Sequence, residues 1–97
     1  MFIEDLFKLV INRKKKLPEG SYTSSLFKKG LDAIAQKVGE EAVEVIIEAK
    51  NKEKKRQVAE IADLWFHIMV LMVELRISFS DIETELRVRR GVNEEEY

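Results

Sequence analysis

No cysteine occurs in the 97 residues, which excludes a disulfide framework, a thiolate metal site and a cysteine nucleophile. Proline occurs once, at Pro18, and glycine four times, so little in the chain interrupts a helix. The longest unbroken apolar run, Ile68–Val73, is far short of the ~20 residues that span a bilayer. Neither charge sign dominates: 17 Lys and Arg against 18 Asp and Glu leave −1, which gives no global basic field for nucleic acid. Met1-Phe2-Ile3-Glu4-Asp5 carries acid where a secretory signal carries base, so a cytoplasmic location is expected. No period-two run rich in β-branched residues argues for a strand. What remains is 45% apolar and 36% charged, a composition suited to helices. The expectation is one all-α domain over residues 1–97. A chain of this length buries roughly 60–70% of its unfolded surface, a thin core that a second copy would reinforce.

The pattern predicts an antiparallel bundle of about four main helices. Residues 2–13 carry Phe2, Leu6, Leu9 and Val10, with Ile3 and Phe7, at helical spacing, and Arg13-Lys14-Lys15-Lys16 suits the helix C-terminus. Leu17-Pro18-Glu19-Gly20 is a break, and Ser21–Lys29 reads as a polar loop with a short turn around Leu26 and Phe27 that Gly30 stops or redirects. From Leu31 to Lys50 a stripe of Leu31, Ile34, Ala35, Val38, Ala42, Val45 and Ala49 faces a core. Val43, Ile46 and Ile47 form a second apolar set, as a bundle interior or a subunit interface requires. Lys54–Leu75 follows a short turn at Asn51 and is apolar nearly all round in its second half, as a central helix should be. Ser80 and Glu83 have the spacing of a capping box for a last helix that runs to about Arg90, before Gly91.

Within this frame the acids are the informative residues. Glu40-Glu41-Ala42-Val43-Glu44 is followed, on the next helix, by Glu60-Ile61-Ala62-Asp63. At ~100° per residue, Glu41 and Glu44 point the same way, and so do Glu60 and Asp63. Glu44 stands about as far before the turn as Glu60 stands after it, so antiparallel packing brings the two pairs to one height. Carboxylates converging there repel, and either protonation or a cation relieves them. Hard oxygen donors select Mg²⁺, Mn²⁺ or Ca²⁺ over Zn²⁺. Helices are rich in surface glutamate, so a lone E-x-x-E carries little; two matched pairs, the second opening the most apolar helix, carry more. Setting these five acids aside turns the net charge of −1 into +4, an acidic spot in a basic surround that suits metal ions bridging to a polyphosphate.

Other residues admit two readings. His67 shares the face of Glu60 and Asp63 and either lines the site or is a core histidine with one hydrogen bond, the commoner fate. Lys37, one turn before Glu41, either holds a phosphate or pairs with Glu41 at i+4. Arg87, Arg89 and Arg90 complement a helix C-terminus or meet an anion. Ser21, Tyr22 and Thr23, with Lys28 and Lys29, offer hydroxyls, an aromatic face and positive charge before the acid-bearing helix; the alternative is that they cap and pack a turn.

E-E-x-x-E followed by E-x-x-D resembles the all-α nucleoside triphosphate pyrophosphatases, the MazG-like group. Pro18–Phe27, Gly30-Leu31-Asp32, Lys37–Glu44 and Ala62–His67 narrow the likeness to the phosphoribosyl-ATP pyrophosphohydrolases of histidine biosynthesis, over about residues 2–90. The resemblance implies Mg²⁺-dependent hydrolysis of phosphoribosyl-ATP to phosphoribosyl-AMP and pyrophosphate by a helical homodimer, with no nucleic-acid or membrane partner. By that resemblance Glu41, Glu44, Glu60 and Asp63 are metal ligands, and Glu40 a further ligand or a base. Glu40, Glu41 and Glu44 are then the catalytic acids. Lys37, Ser21, Tyr22, Thr23, Lys28, Lys29, Arg87 and Arg90 are candidates for the substrate. The tail Gly91–Tyr97 is acidic where many relatives are basic. A house-cleaning nucleotide pyrophosphatase with the same site, or a helical interaction module without activity, are the competing readings.

Overall fold

Five helices and, among the described residues, no strand make up the structure, a computed structural model that describes residues 1–89. They are α1 (Phe2–Lys16), α2 (Tyr22–Lys29), α3 (Leu31–Ala49), α4 (Lys54–Leu75) and α5 (Phe79–Arg89). The all-α expectation holds. The difference is α2: Ser21–Lys29, read above as a loop with a short turn, is a helix of 8 residues. Ser21 caps it, its Oγ accepting from Ser24 N at 3.2 Å, and the buried Ser24 donates to the Arg13 carbonyl at 3.4 Å, which ties α2 to the end of α1. With only two turns, α2 gives a weak period, which is why the sequence hides it.

α1 buries most, but not all, of the apolar set its spacing suggested. Phe2 and Leu9 are exposed, while Val10 is buried and Phe7 and Ile11 pack against the core. The inward side is therefore Ile3, Leu6, Phe7, Val10 and Ile11, with Phe2 and Leu9 left outside. It runs through all three of Lys14–Lys16 before Leu17 turns left-handed at φ 46° and closes it. Lys14 reaches across to Glu74 on α4 at 2.8 Å.

α3 and α4 form the principal packing pair, antiparallel across Lys50–Glu53. Gln57 Nε2 donates to the carbonyls of Glu48 and Ala49 at 3.3 and 3.2 Å, satisfying the end of α3 and fixing the register of the hairpin. The core holds Val10, Leu26, Ile34, Val70 and Val73. α4 supplies the largest share of buried side chains, as its apolar second half predicted. On α3 only Ile34 and Glu41 are buried; Leu31, Ala35 and Ala49 of the expected stripe are exposed. The capping box of α5 lies two residues earlier than expected. Ser78 N donates to Asp81 Oδ2 at 2.9 Å and Asp81 N donates to Ser78 Oγ at 3.1 Å, while Glu83 instead holds Arg87.

Candidate active site

The register set by Gln57 brings the acids of α3 and α4 together. Carboxylate oxygens of Glu41, Glu60 and Asp63 lie within 4.8 Å of one another. Glu41 is buried, Glu60 half-buried and Asp63 exposed at the mouth. Glu44 is exposed and lies outside this trio, although its charge reaches Glu60. Glu60's carboxyl is raised above its ordinary value, first by desolvation, then by the negative charges of Asp63, Glu41, Glu44 and Glu48. A carboxyl raised by burial and by neighbouring negative charge marks a place where a cation would be welcome. Three hard oxygens converging from two helices can hold a divalent ion and leave positions for water or phosphate.

Glu48 was not singled out by sequence reasoning. Its Oε2 is buried without a hydrogen-bond partner, and its charge adds to the pressure on Glu60. The signal was there: Glu48 follows Glu41 and Glu44 at +7 and +4, on the same stripe.

Beside the trio a cleft of about 320 Å³ lies between α2 and α3, lined by Tyr22, Leu26, Lys29, Gln36, Lys37 and Glu40, among others. Lys37 Nζ sits 3.3 Å from Glu41 Oε1, so the lysine both pairs with the acid and lines the cleft. Its ammonium is raised above its ordinary value by the bond to Glu41 and then by Tyr22, with partial burial opposing. Tyr22 is exposed, yet its hydroxyl lies 2.8 Å from Nε2 of the buried His67. His67 Nδ1 lies 2.7 Å from the Asp63 carbonyl. It is thus a core histidine with two hydrogen bonds, one to Tyr22 on α2 and one to the backbone of an acid in the trio.

The remaining candidates are dispersed. Ser21 is engaged as the α2 cap, Thr23 is half-buried on the first turn, and Lys28 is exposed beside Lys29 but outside the cleft lining. Arg87 is bound to Glu83 on α5 at 2.8 Å. Arg90 lies outside the described residues.

The model of one protein family, Phosphoribosyl-ATP pyrophosphohydrolase, matches residues 3–90. A "Phosphoribosyl-ATP pyrophosphatase" of Clostridium botulinum strain Hall is 57% identical over 88 residues, covering 91% of this chain and 80% of that protein. Proteins of the same name from Streptococcus sanguinis and Listeria monocytogenes are each 49% identical over 89 residues, covering 92% of this chain and 86% and 85% of theirs. The match runs through every element that builds the acid trio and the cleft, from α1 to the last residue of α5. With identity at this level over nine-tenths of its length, the chain belongs to the phosphoribosyl-ATP pyrophosphohydrolase family.

Proposed function

We propose that this protein hydrolyses the α–β phosphoanhydride of phosphoribosyl-ATP, releasing phosphoribosyl-AMP and pyrophosphate, the second step of histidine biosynthesis. It works as a cytoplasmic homodimer with Mg²⁺, for which Mn²⁺ can substitute. The observation that carries this reading is the convergence of Glu41, Glu60 and Asp63 beside a cleft holding Lys29 and Lys37, in a chain of this family. Mg²⁺ fits the donor set: hard carboxylates only, from facing helices, with the Glu60 carboxyl raised first by desolvation and then by the negative charge around it. When bound there, Mg²⁺ supplies charge neutralisation and an acidified water.

The residues divide the remaining work. Glu41, Glu60 and Asp63 would hold the ion, and Glu44, one turn along α3, would be a further ligand. Glu40 lines the cleft next to Glu41 in sequence and would serve as a further ligand or as the base that takes a proton from the attacking water. Lys37 and Lys29 meet the phosphates that the ion leaves unneutralised. Phosphoanhydride cleavage asks for positioning and charge stabilisation more than covalent chemistry, and these groups supply that.

The homodimer rests on apolar surface left uncovered in one copy. Val43, Ile46 and Ile47 on α3 and Val58, Ile61, Trp65 and Ile68 on α4 are all exposed, with Trp65 at 53%. The α4 residues follow one helical stripe, which monomers rarely leave bare.

A panel assay for pyrophosphate release tests the function, with phosphoribosyl-ATP, dUTP and ATP, each with and without Mg²⁺. Release from phosphoribosyl-ATP in preference, and only with the ion, is expected. Preference for dUTP or ATP would make this a general nucleotide pyrophosphatase. No release from any of them would leave a helical module without this activity.

A further inference from the structure

Among the polar groups of the cleft, the Tyr22 hydroxyl has its hydrogen-bonding sense fixed by the core behind it. The Asp63 carbonyl can only accept, so His67 Nδ1 carries a proton. In the neutral imidazole Nε2 then has only a lone pair. The 2.8 Å contact is therefore a bond in which Tyr22 O–H donates to His67. The ring cannot easily turn to change this. His67 is 5% exposed and stands edge-on to Phe66 and Tyr22, at interplanar angles of 86° and 79°. With its proton committed inward, the Tyr22 oxygen offers the cleft lone pairs alone.

That polarity matters for recognition. A phosphate oxygen is itself an acceptor, and two acceptors facing each other repel. Lys29 and Lys37, on the same cleft, are the groups suited to phosphate. We propose that Tyr22, oriented by His67, is a specificity residue that accepts a hydrogen bond from a ribose hydroxyl or a base N–H of the substrate and makes none to its phosphates. His67 is the positioning residue: it ties the first residue of α2 to the backbone of Asp63. This inference rests on the function proposed above and assigns one contact within that site. Sites built to bond a substrate's donor discriminate strongly, because the unpaired acceptor is left when the donor is missing.

The experiment uses the full chain with Mg²⁺ at about pH 8. It measures kcat and KM for phosphoribosyl-ATP and the inhibition constants of phosphoribosyl-AMP and inorganic pyrophosphate. Tyr22→Phe, which keeps the ring, is expected to raise KM and the phosphoribosyl-AMP constant together by about three- to tenfold. The pyrophosphate constant should move less than about twofold. His67→Asn keeps an amide donor for the Asp63 carbonyl but offers nothing to Tyr22, and should give the same pattern. The double variant should be no worse than the weaker single, because both remove one bond. Circular dichroism checks that His67→Asn folds; if it does not, the Tyr22→Phe pattern decides alone. Equal weakening of pyrophosphate and phosphoribosyl-AMP, an unchanged KM in Tyr22→Phe, or additive losses in the double variant would overturn the inference and leave the proposed function standing. A wild-type protein inactive on phosphoribosyl-ATP would remove both.

Discussion

Glu41 is one of only two buried side chains on α3, and its partner in burial, Ile34, is a core residue two turns away. An acid in that position is held by Lys37 and faced by Glu60 and Asp63, so its removal should be felt in turnover far more than in folding. Glu41→Gln and Asp63→Asn are each expected to reduce pyrophosphate release by at least about 10²-fold, the scale on which a single charge-stabilising group acts. Circular dichroism should show unchanged helix content in both. Glu60 gives a stability prediction with a definite sign. Its folded-state carboxyl is raised, so the folded protein holds the proton more tightly than the unfolded chain. The stability this lends is full below the ordinary carboxylate range and is lost as pH rises through the raised value. Metal-free Glu60→Gln should therefore melt above wild type at about pH 7, with the difference closing as pH falls toward about 4. Thermal melts across that range in chelator check it. Helix pitch and a short turn brought both acid pairs, Glu41 with Glu44 and Glu60 with Asp63, to one height on paper, and in the structure Glu41, Glu60 and Asp63 converge while Glu44 stands outside. The Tyr22–His67 bond was not legible, since it joins residues 45 apart through a helix the sequence concealed.

Each element meets the next at a residue chosen for backbone shape. Gly30 separates α2 from α3 at φ 96° and ψ −176°, a region that side-chain-bearing residues rarely enter. Its N–H closes α2 on the Leu26 carbonyl, and its carbonyl accepts from Ile34 N at the start of α3. Gly30→Ala meets open space but forces the strained backbone, so a loss of about 1–3 kcal/mol is expected from denaturant titration. The angle between α2 and α3 also sets the cleft, so KM should rise in the same variant. Sequence reading placed a break at Gly30 because glycine is conspicuous. Leu17, Lys52 and Arg76 turn left-handed without being glycine, at φ 46°, 59° and 60°, and nothing in their chemistry announces it. The caps were legible in kind but not always in place. Ser78 with Asp81 and Ser80 with Glu83 share the same spacing, and only the packing of Phe79 on Phe7, ring centroids 4.4 Å apart, decides for the first.

Across the whole molecule, the balance of exposed and buried apolar side chains looks inverted for a monomer. Trp65, Val58 and Ile46 are more than half exposed, while the fully buried core is built around Val10, Ile34 and Val70. Such a core is thin, and Ile34→Ala should remove about 2–5 kcal/mol from it. Covering the α4 stripe with a second copy is the expected remedy. Sedimentation at micromolar concentration should show a dimer. Trp65→Glu should lower the melting temperature and shift the population toward monomer, whereas a wild type that sediments as a clean monomer would reject the assembly. The central place of α4 was legible from the density of its apolar residues, but an element apolar nearly all round does not say which side meets the core and which stays bare. On α1 the apolar residues crowd more than half the circumference, and tertiary packing alone selects Ile3, Phe7 and Val10 over Phe2 and Leu9. The hairpin of α3 and α4 has a kinetic consequence. Its loop of four residues makes the most extensive helix pairing also a local one, the kind of contact that forms early. The acids it carries must approach one another at that same early step, when little apolar surface has yet been hidden. Their repulsion therefore belongs to the barrier for refolding as well as to the final state, and screening by salt should quicken the folding arm of the chevron rather than merely slow the unfolding arm.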